Sequence, residues 1–139
     1  MIQIISGEKG KGKTKILIEK VNNEVKVAKG SIVYLDKNSK HMYELSNKIR
    51  LINVRDHFIE NQSEFIGFIC GIISCDHDLQ AIFLDSFLKI AYIDENNIQA
   101  VFDKLEKISE QFQVDLVISI SMNLDQLPES VKKNVIVSL

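Results

Sequence analysis

Residues 7–14 read Gly7-Glu8-Lys9-Gly10-Lys11-Gly12-Lys13-Thr14: a glycine, four intervening residues, then Gly-Lys-Thr. This spacing suits a turn that wraps a polyphosphate. Glycines at 7, 10 and 12 open backbone conformations closed to other residues, so that successive N–H groups can turn inward. A helix beginning at Lys13 would add its unpaired amides and the positive end of its dipole. Lys13 would reach the β- and γ-phosphates, and the Thr14 hydroxyl would be a ligand of Mg²⁺. Lys15, with Lys9 and Lys11, adds positive charge to the same run, so residues 7–15 form the expected nucleotide-binding segment. For the three extra lysines, a solvated loop is the plainer account.

The usual companion of such a loop is an acidic residue at the tip of a buried strand, and Ile82-Phe83-Leu84-Asp85 supplies one. Mg²⁺ prefers hard oxygen ligands and keeps several waters, so one hydroxyl, one carboxylate and a nucleotide suffice to hold it. Thr14 and Asp85 are therefore the expected metal ligands, and Lys13 and Asp85 the expected catalytic pair.

These residues need strands to end beside them. Apolar runs at 1–6, 31–35 and 81–85 read as buried strands, the last two closed by Asp36 and Asp85. Further strands are expected at 50–54, at 115–120 and, as a final edge strand, at 134–139. Helical spacing predicts helices over 13–28, ended by Gly30, over 64–74, and from an N-cap at Asp94 to Phe112. Pro128 opens a short helix, where its missing N–H costs nothing. Residues 37–48 are polar and read as loop with a single helical turn. In the very apolar helix at 64–74, Gly67 and Gly71 bare one side, which would let another backbone come close. Strands apolar on both faces, alternating with helices, mark a mainly parallel sheet covered on either side, an α/β three-layer sandwich. Ligands in such sheets sit outside the carboxyl ends of the strands, which directs attention to Gly7, Asp36, Asp85 and Ser121.

The chain has 139 residues, enough for one domain over 1–139, with 45% apolar and 26% charged residues. Seventeen Lys plus Arg against nineteen Asp plus Glu leave a net charge of −2, so net charge does not indicate a nucleic-acid partner. Two cysteines are too few for a disulfide framework, no leader peptide is evident, and no apolar run could span a membrane. A cytoplasmic location and no membrane partner are the expectation.

With loop, strand tip and alternation in place, the chain resembles the P-loop NTPases. It is most similar to the additional-strand class of RecA-like ATPases, because a strand and helix intervene between the first helix and the Asp85 strand. It also resembles small bacterial ATP-binding proteins labelled "twitching motility protein PilT". The specific match is confined to the loop and the Asp85 strand. The resemblance implies Mg²⁺-dependent ATP binding, with ATP as ligand or substrate. Hydrolysis would be slow, since the glutamate often found directly after the magnesium aspartate is replaced by Ser86. Asp36 could stand in for it, although a turn-former after a strand explains Asp36 as well. Ser121 or Ser119 could sense the γ-phosphate, or be an ordinary strand-end serine. RecA-like sites are often completed by a neighbour's arginine, for which Arg50 and Arg55 are the candidates. The expected partners are thus nucleotide and a homo-oligomer or other protein.

Two other functional readings stand beside weak ATPase activity. One is a non-catalytic nucleotide sensor or scaffold. The other, a small-molecule kinase of nucleoside type, fits less well because two arginines cannot furnish the usual lid. GTP selectivity is disfavoured because Asn47-Lys48 runs on into Ile49-Arg50 rather than completing Asn-Lys-x-Asp. Cys70, Cys75 and His77 suggest a metal only in the linear sequence. Helix positions five apart diverge by about 140°, and no second pair completes four ligands, so the cysteines read as buried small hydrophobes. His57 beside Asp56 could form an acid/base pair, though such neighbours are common by chance.

Overall fold

The computed structural model describes all 139 residues. Strand β1 (Ile2–Ser6) leads into helix α1 (Lys13–Val25), followed by β2 (Ser31–Asp36) and β3 (Ile49–Asn53). Then come α2 (Gln62–Ser74), β4 (Leu79–Leu84), the single-turn α3 (Phe87–Ile90) and α4 (Ile98–Phe112). The chain finishes with β5 (Asp115–Ile120), α5 (Glu129–Lys132) and β6 (Val135–Ser138). All six strands are parallel, in the order β3-β2-β4-β5-β1-β6. β6 is an edge strand, as its position in the sequence suggests. β5 stands between β1 and β4, so an additional strand separates the glycine-rich loop from Asp85.

The sheet is sandwiched unequally. One face packs Leu17, Ile18 and Val21 of α1 on Ile5, Ile32, Tyr34, Phe83 and Val117. The other carries α2, α3, α4 and α5, with Phe65, Phe87, Phe102 and Val131 set against Ile4, Leu35, Leu84 and Ile118. Because strand side chains alternate between faces, each strand must be apolar at consecutive positions to serve both layers. Fully burying a Leu or Phe contributes about 1.5–3 kcal/mol, so these two layers dominate the stability of the sheet.

Several expectations at the element boundaries are corrected. Helix α1 stops at Val25 rather than Ala28, so Gly30 does not cap it. Gly30 is needed for another reason: a Cβ there would lie 2.1 Å from the Asp78 carbonyl oxygen, which also accepts from Ser31 N. At Gly67 and Gly71 the close approach is absent, because nothing lies within 4 Å of a Cβ at either position. Both face outward, and α2 buries Phe65, Ile69 and Ile73 instead. Asp94 does not cap α4. Its carboxylate accepts from Asn96 and Asn97 N in the preceding turn, and the helix begins one residue after Asn97. Pro128 directly precedes α5, and the helical turn inside 37–48 falls at Met42–Glu44. Helix α3 and a 3₁₀ turn at Val54–His57 carry no periodic signal of their own. No helix is long and apolar enough to cross a membrane.

Candidate nucleotide site at the carboxyl edge of the sheet

A parallel sheet sends every strand's carboxyl end to one edge, so the loops after β1, β2, β4 and β5 meet there. They enclose a cavity of about 660 Å³ lined by Lys9, Gly10, Gly12, Lys13, Thr14, Asp36, Asp85, Ser86, Ser119 and Ser121, among others. Leu88 is its one apolar wall.

The glycine-rich loop is shaped for an anion. Gly10 and Gly12 have φ of +86° and +91°, a region other residues enter only under strain. The Gly7 and Lys11 amides are bonded, to the carbonyls of Met122 (3.0 Å) and Glu8 (3.3 Å). Those of Gly10, Gly12, Lys13 and Thr14 have no acceptor in the chain. Helix α1 has no side-chain cap and no acidic residue in its first turn, so its positive end is left open to a ligand. Lys13 bends back over the loop, its Nζ donating to the Glu8 carbonyl at 2.9 Å. Desolvation lowers the Lys13 pKa, while the nearby Asp85 carboxylate acts to raise it.

Asp85 is almost wholly buried, yet both its oxygens are satisfied. Oδ1 accepts from Ser119 Oγ at 2.6 Å, from Ser86 N at 2.9 Å and from Thr14 Oγ1 at 3.2 Å. Oδ2 accepts from the Tyr34 hydroxyl at 2.8 Å. Ser86 reaches this position with φ +56°, a left-handed backbone at a non-glycine residue. Its amide is shared between Asp85 Oδ1 and Ser119 Oγ.

The strand alternation explains why these groups meet. Positions 32, 34 and 36 of β2, 81, 83 and 85 from β4, and 117 and 119 of β5 share the face covered by α1. Tyr34 lies opposite Phe83 in the β2–β4 register, with the rings stacked at 6.5 Å. Burial and the field of Asp85 push the Tyr34 hydroxyl far above its ordinary pKa, so it remains a neutral donor. Asp36, also almost wholly buried, accepts from Lys37 N at 2.7 Å. Burial, with repulsion from Asp85, raises its pKa to about 6, against the opposing pull of Lys37 N–H, His41 and Lys37.

Of the residues singled out from the sequence, Lys9, Gly10, Gly12, Lys13, Thr14 and Asp85 converge on the cavity. Gly7 is buried beneath the loop, while Glu8, Lys11 and Lys15 are exposed outside the lining. Asp36, Ser119 and Ser121 also line it. Sequence reasoning misses Tyr34, which reads as one more strand aromatic; only its parity with Asp36 hints at the site. It misses Lys37, Lys40, His41 and Lys89 as well, because the polar stretch 37–48 has no periodic pattern and Lys89 lies on a single turn. The Asp56–His57 pair is not assembled. His57 packs on Phe68 at 5.3 Å, and Asp56 accepts weakly from Asn53. Cys70 is half-buried and Cys75 exposed, which corrects their reading as two buried hydrophobes.

The oxygen set at Asp85 fits a divalent cation. Thr14 donates its proton to the carboxylate, which leaves the hydroxyl lone pairs free, and both groups are hard ligands of the kind Mg²⁺ takes.

No protein-family model matches the chain, and no curated protein is similar to it in sequence. Solved structures are similar. The flagellar accessory protein FlaH from Methanocaldococcus jannaschii matches at TM-score 0.60 and 16% identity, over 95% of this chain and 65% of that one. The KaiC-like protein PH0186 from Pyrococcus horikoshii OT3 matches at TM-score 0.57 and 16% identity, over 85% of this chain and 59% of that one. The chain therefore spans less than two thirds of either neighbour's length. Neither sequence comparison supports the pilus-motility label. With six parallel strands in this order, helices on both faces and these neighbours, the fold is α/β of the RecA-like type.

Proposed function

We propose that this chain binds ATP with Mg²⁺ at the carboxyl edge of its sheet and hydrolyses it slowly. One observation carries the reading: four unpaired amides at the open end of α1 share a cavity with a hydroxyl–carboxylate pair 3.2 Å apart. The amides of Gly10, Gly12, Lys13 and Thr14 would cradle the β- and γ-phosphates, and Lys13 would exchange the Glu8 carbonyl for a phosphate oxygen. Thr14 would hold Mg²⁺ directly and Asp85 through water. An ion held by these two residues would supply positive charge to offset that building on the phosphate oxygens.

Tyr34, Ser119 and the Ser86 amide keep the Asp85 carboxylate in one orientation, which spares the cost of ordering it when the ligand arrives. Asp36 is the carboxylate available to take a proton from the attacking water as the bond from the γ-phosphorus to the bridging oxygen breaks, releasing ADP and phosphate. With a pKa raised to about 6 it is mostly ionised at neutral pH and able to act as a base. Ser86 fills the position directly after Asp85, so no second carboxylate assists, which accounts for slow turnover.

The absence of a carboxylate at position 86 also favours a second reading, a nucleotide sensor or scaffold that binds without turnover. Titration of fluorescent ATP with and without Mg²⁺, beside Lys13→Ala, tests the binding that both share. Tight, Mg²⁺-dependent binding lost in the variant supports it; equal binding by both proteins, or none by either, overturns it. Phosphate release by the purified chain then separates slow ATPase from sensor.

A further inference from the structure

We propose that Lys37 and Lys89 form a cation pair that clasps the terminal phosphate of the bound triphosphate, supplying within one chain the positive charge otherwise sought from a neighbour's arginine. This rests on the ATP-binding reading above and adds to it a determinant for triphosphate over diphosphate.

Lys37 follows Asp36 at the tip of β2, and Lys89 lies on α3 just beyond the tip of β4. β2 and β4 are adjacent, with β5 alone between β4 and the loop-bearing β1, so both lysines line the same cavity as Lys13 and Asp85. Both side chains line that one cavity, and the positive field of Lys37, with Lys9 and Arg55 adding to it, holds the Lys89 pKa below that of an ordinary amine. None of these four cations has an acidic partner. The ion pairs of the chain are Met1–Asp115, Lys20–Glu24, His41–Glu44 and Lys132–Glu129.

Neither carboxylate of the cavity forms an ion pair with the two lysines: Asp85 accepts from Thr14, Tyr34, Ser119 and Ser86, and Asp36 from the Lys37 amide, with the Lys37 ammonium reaching Asp36 only as a field. Nor is the positive charge a general surplus, because the whole chain carries −2. Two like charges held together without a counter-ion repel, and an anion placed between them relieves that repulsion. With a single apolar wall, the cavity suits a phosphate rather than a nucleobase at this end.

The test compares the affinity of Mg²⁺ with ADP and with the non-hydrolysable β,γ-imido triphosphate, in the full chain and in Lys37→Gln, Lys89→Gln and the double variant. The expected result is a loss of triphosphate affinity of about threefold for each single change and about tenfold for the double, with ADP affinity unchanged. Unchanged ADP affinity also shows that the variants are folded, and the double Lys→Arg variant should restore discrimination. Raising the salt concentration should narrow the wild-type difference, since exposed charges are screened. If the double variant keeps the wild-type triphosphate-to-diphosphate ratio, the inference fails while the ATP-binding reading stands. It also fails if the variants lose affinity for heparin or single-stranded DNA alone, which would make the lysines a polyanion surface. If the unaltered chain binds neither nucleotide, both readings fall together.

Discussion

Asp36→Asn should make the protein more stable, by an amount that depends on pH. The wild-type carboxyl is almost wholly buried near Asp85, and its pKa is raised from 3.8 to about 6. A raised carboxyl pKa means that the fold favours the protonated form. That contribution is complete below the unfolded pKa and is lost as pH rises through the folded one. Linkage between 3.8 and about 6 gives a cost of ionised Asp36 of about 1 kcal/mol at pH 4.5 and about 3 kcal/mol at pH 7.5. Asparagine cannot ionise, and its carbonyl oxygen can still accept from Lys37 N. The variant should therefore melt above the wild type by about 10 °C at pH 7.5 and by only about 3–4 °C at pH 4.5. Circular-dichroism melts in EDTA across this range, with Asp85 free of metal, would measure the gap. A gap that stays constant with pH, or a variant less stable than wild type at pH 7.5, refutes the account of Asp36. The same variant should lose ATP turnover while keeping nucleotide affinity; stability gained at the expense of activity is what a strained functional carboxylate produces.

Tyr34→Phe keeps the ring stacked on Phe83 but removes the donor 2.8 Å from Asp85 Oδ2. It should lower stability by about 2 kcal/mol, as for other hydrogen bonds to charged groups, and weaken Mg²⁺-dependent nucleotide binding. Urea denaturation and a metal titration would show it, and a change below about 0.5 kcal/mol would mean that the tyrosine does not support the carboxylate. Gly30→Ala should cost about 2–3 kcal/mol, because its Cβ would lie 2.1 Å from the Asp78 carbonyl and backbone must move. A melting temperature within a degree of wild type would show that the turn yields freely. By contrast, Gly67→Ala and Gly71→Ala meet open space on a helix and should each raise stability by about 0.5–1 kcal/mol in the same assay; a loss there would reveal a contact on that face.

Much of the fold is legible in the amino-acid order, because parallel strands buried on both faces leave near-continuous apolar runs between helical patterns. The runs at 31–35 and 81–85 have no other economical reading. Boundaries are less legible. Gly30, Gly67 and Gly71 look alike in the sequence, yet only Gly30 faces a neighbouring backbone, since close approach is a property of what packs against a residue.

The glycine-rich loop is written locally. Its eight residues carry the conformational freedom, the helix start and the lysine together, so Gly10, Gly12, Lys13 and Thr14 could be named from spacing alone. The surroundings of Asp85 could not. Tyr34, Thr14 and Ser119 come from positions 51, 71 and 34 residues away along the chain. They converge because β5 is inserted between β1 and β4 and because side chains two apart on a strand share a face. Strand order and facing parity arise only when the whole sheet closes, and so the tertiary structure decided which hydroxyls hold the carboxylate and which lysines stand beside it.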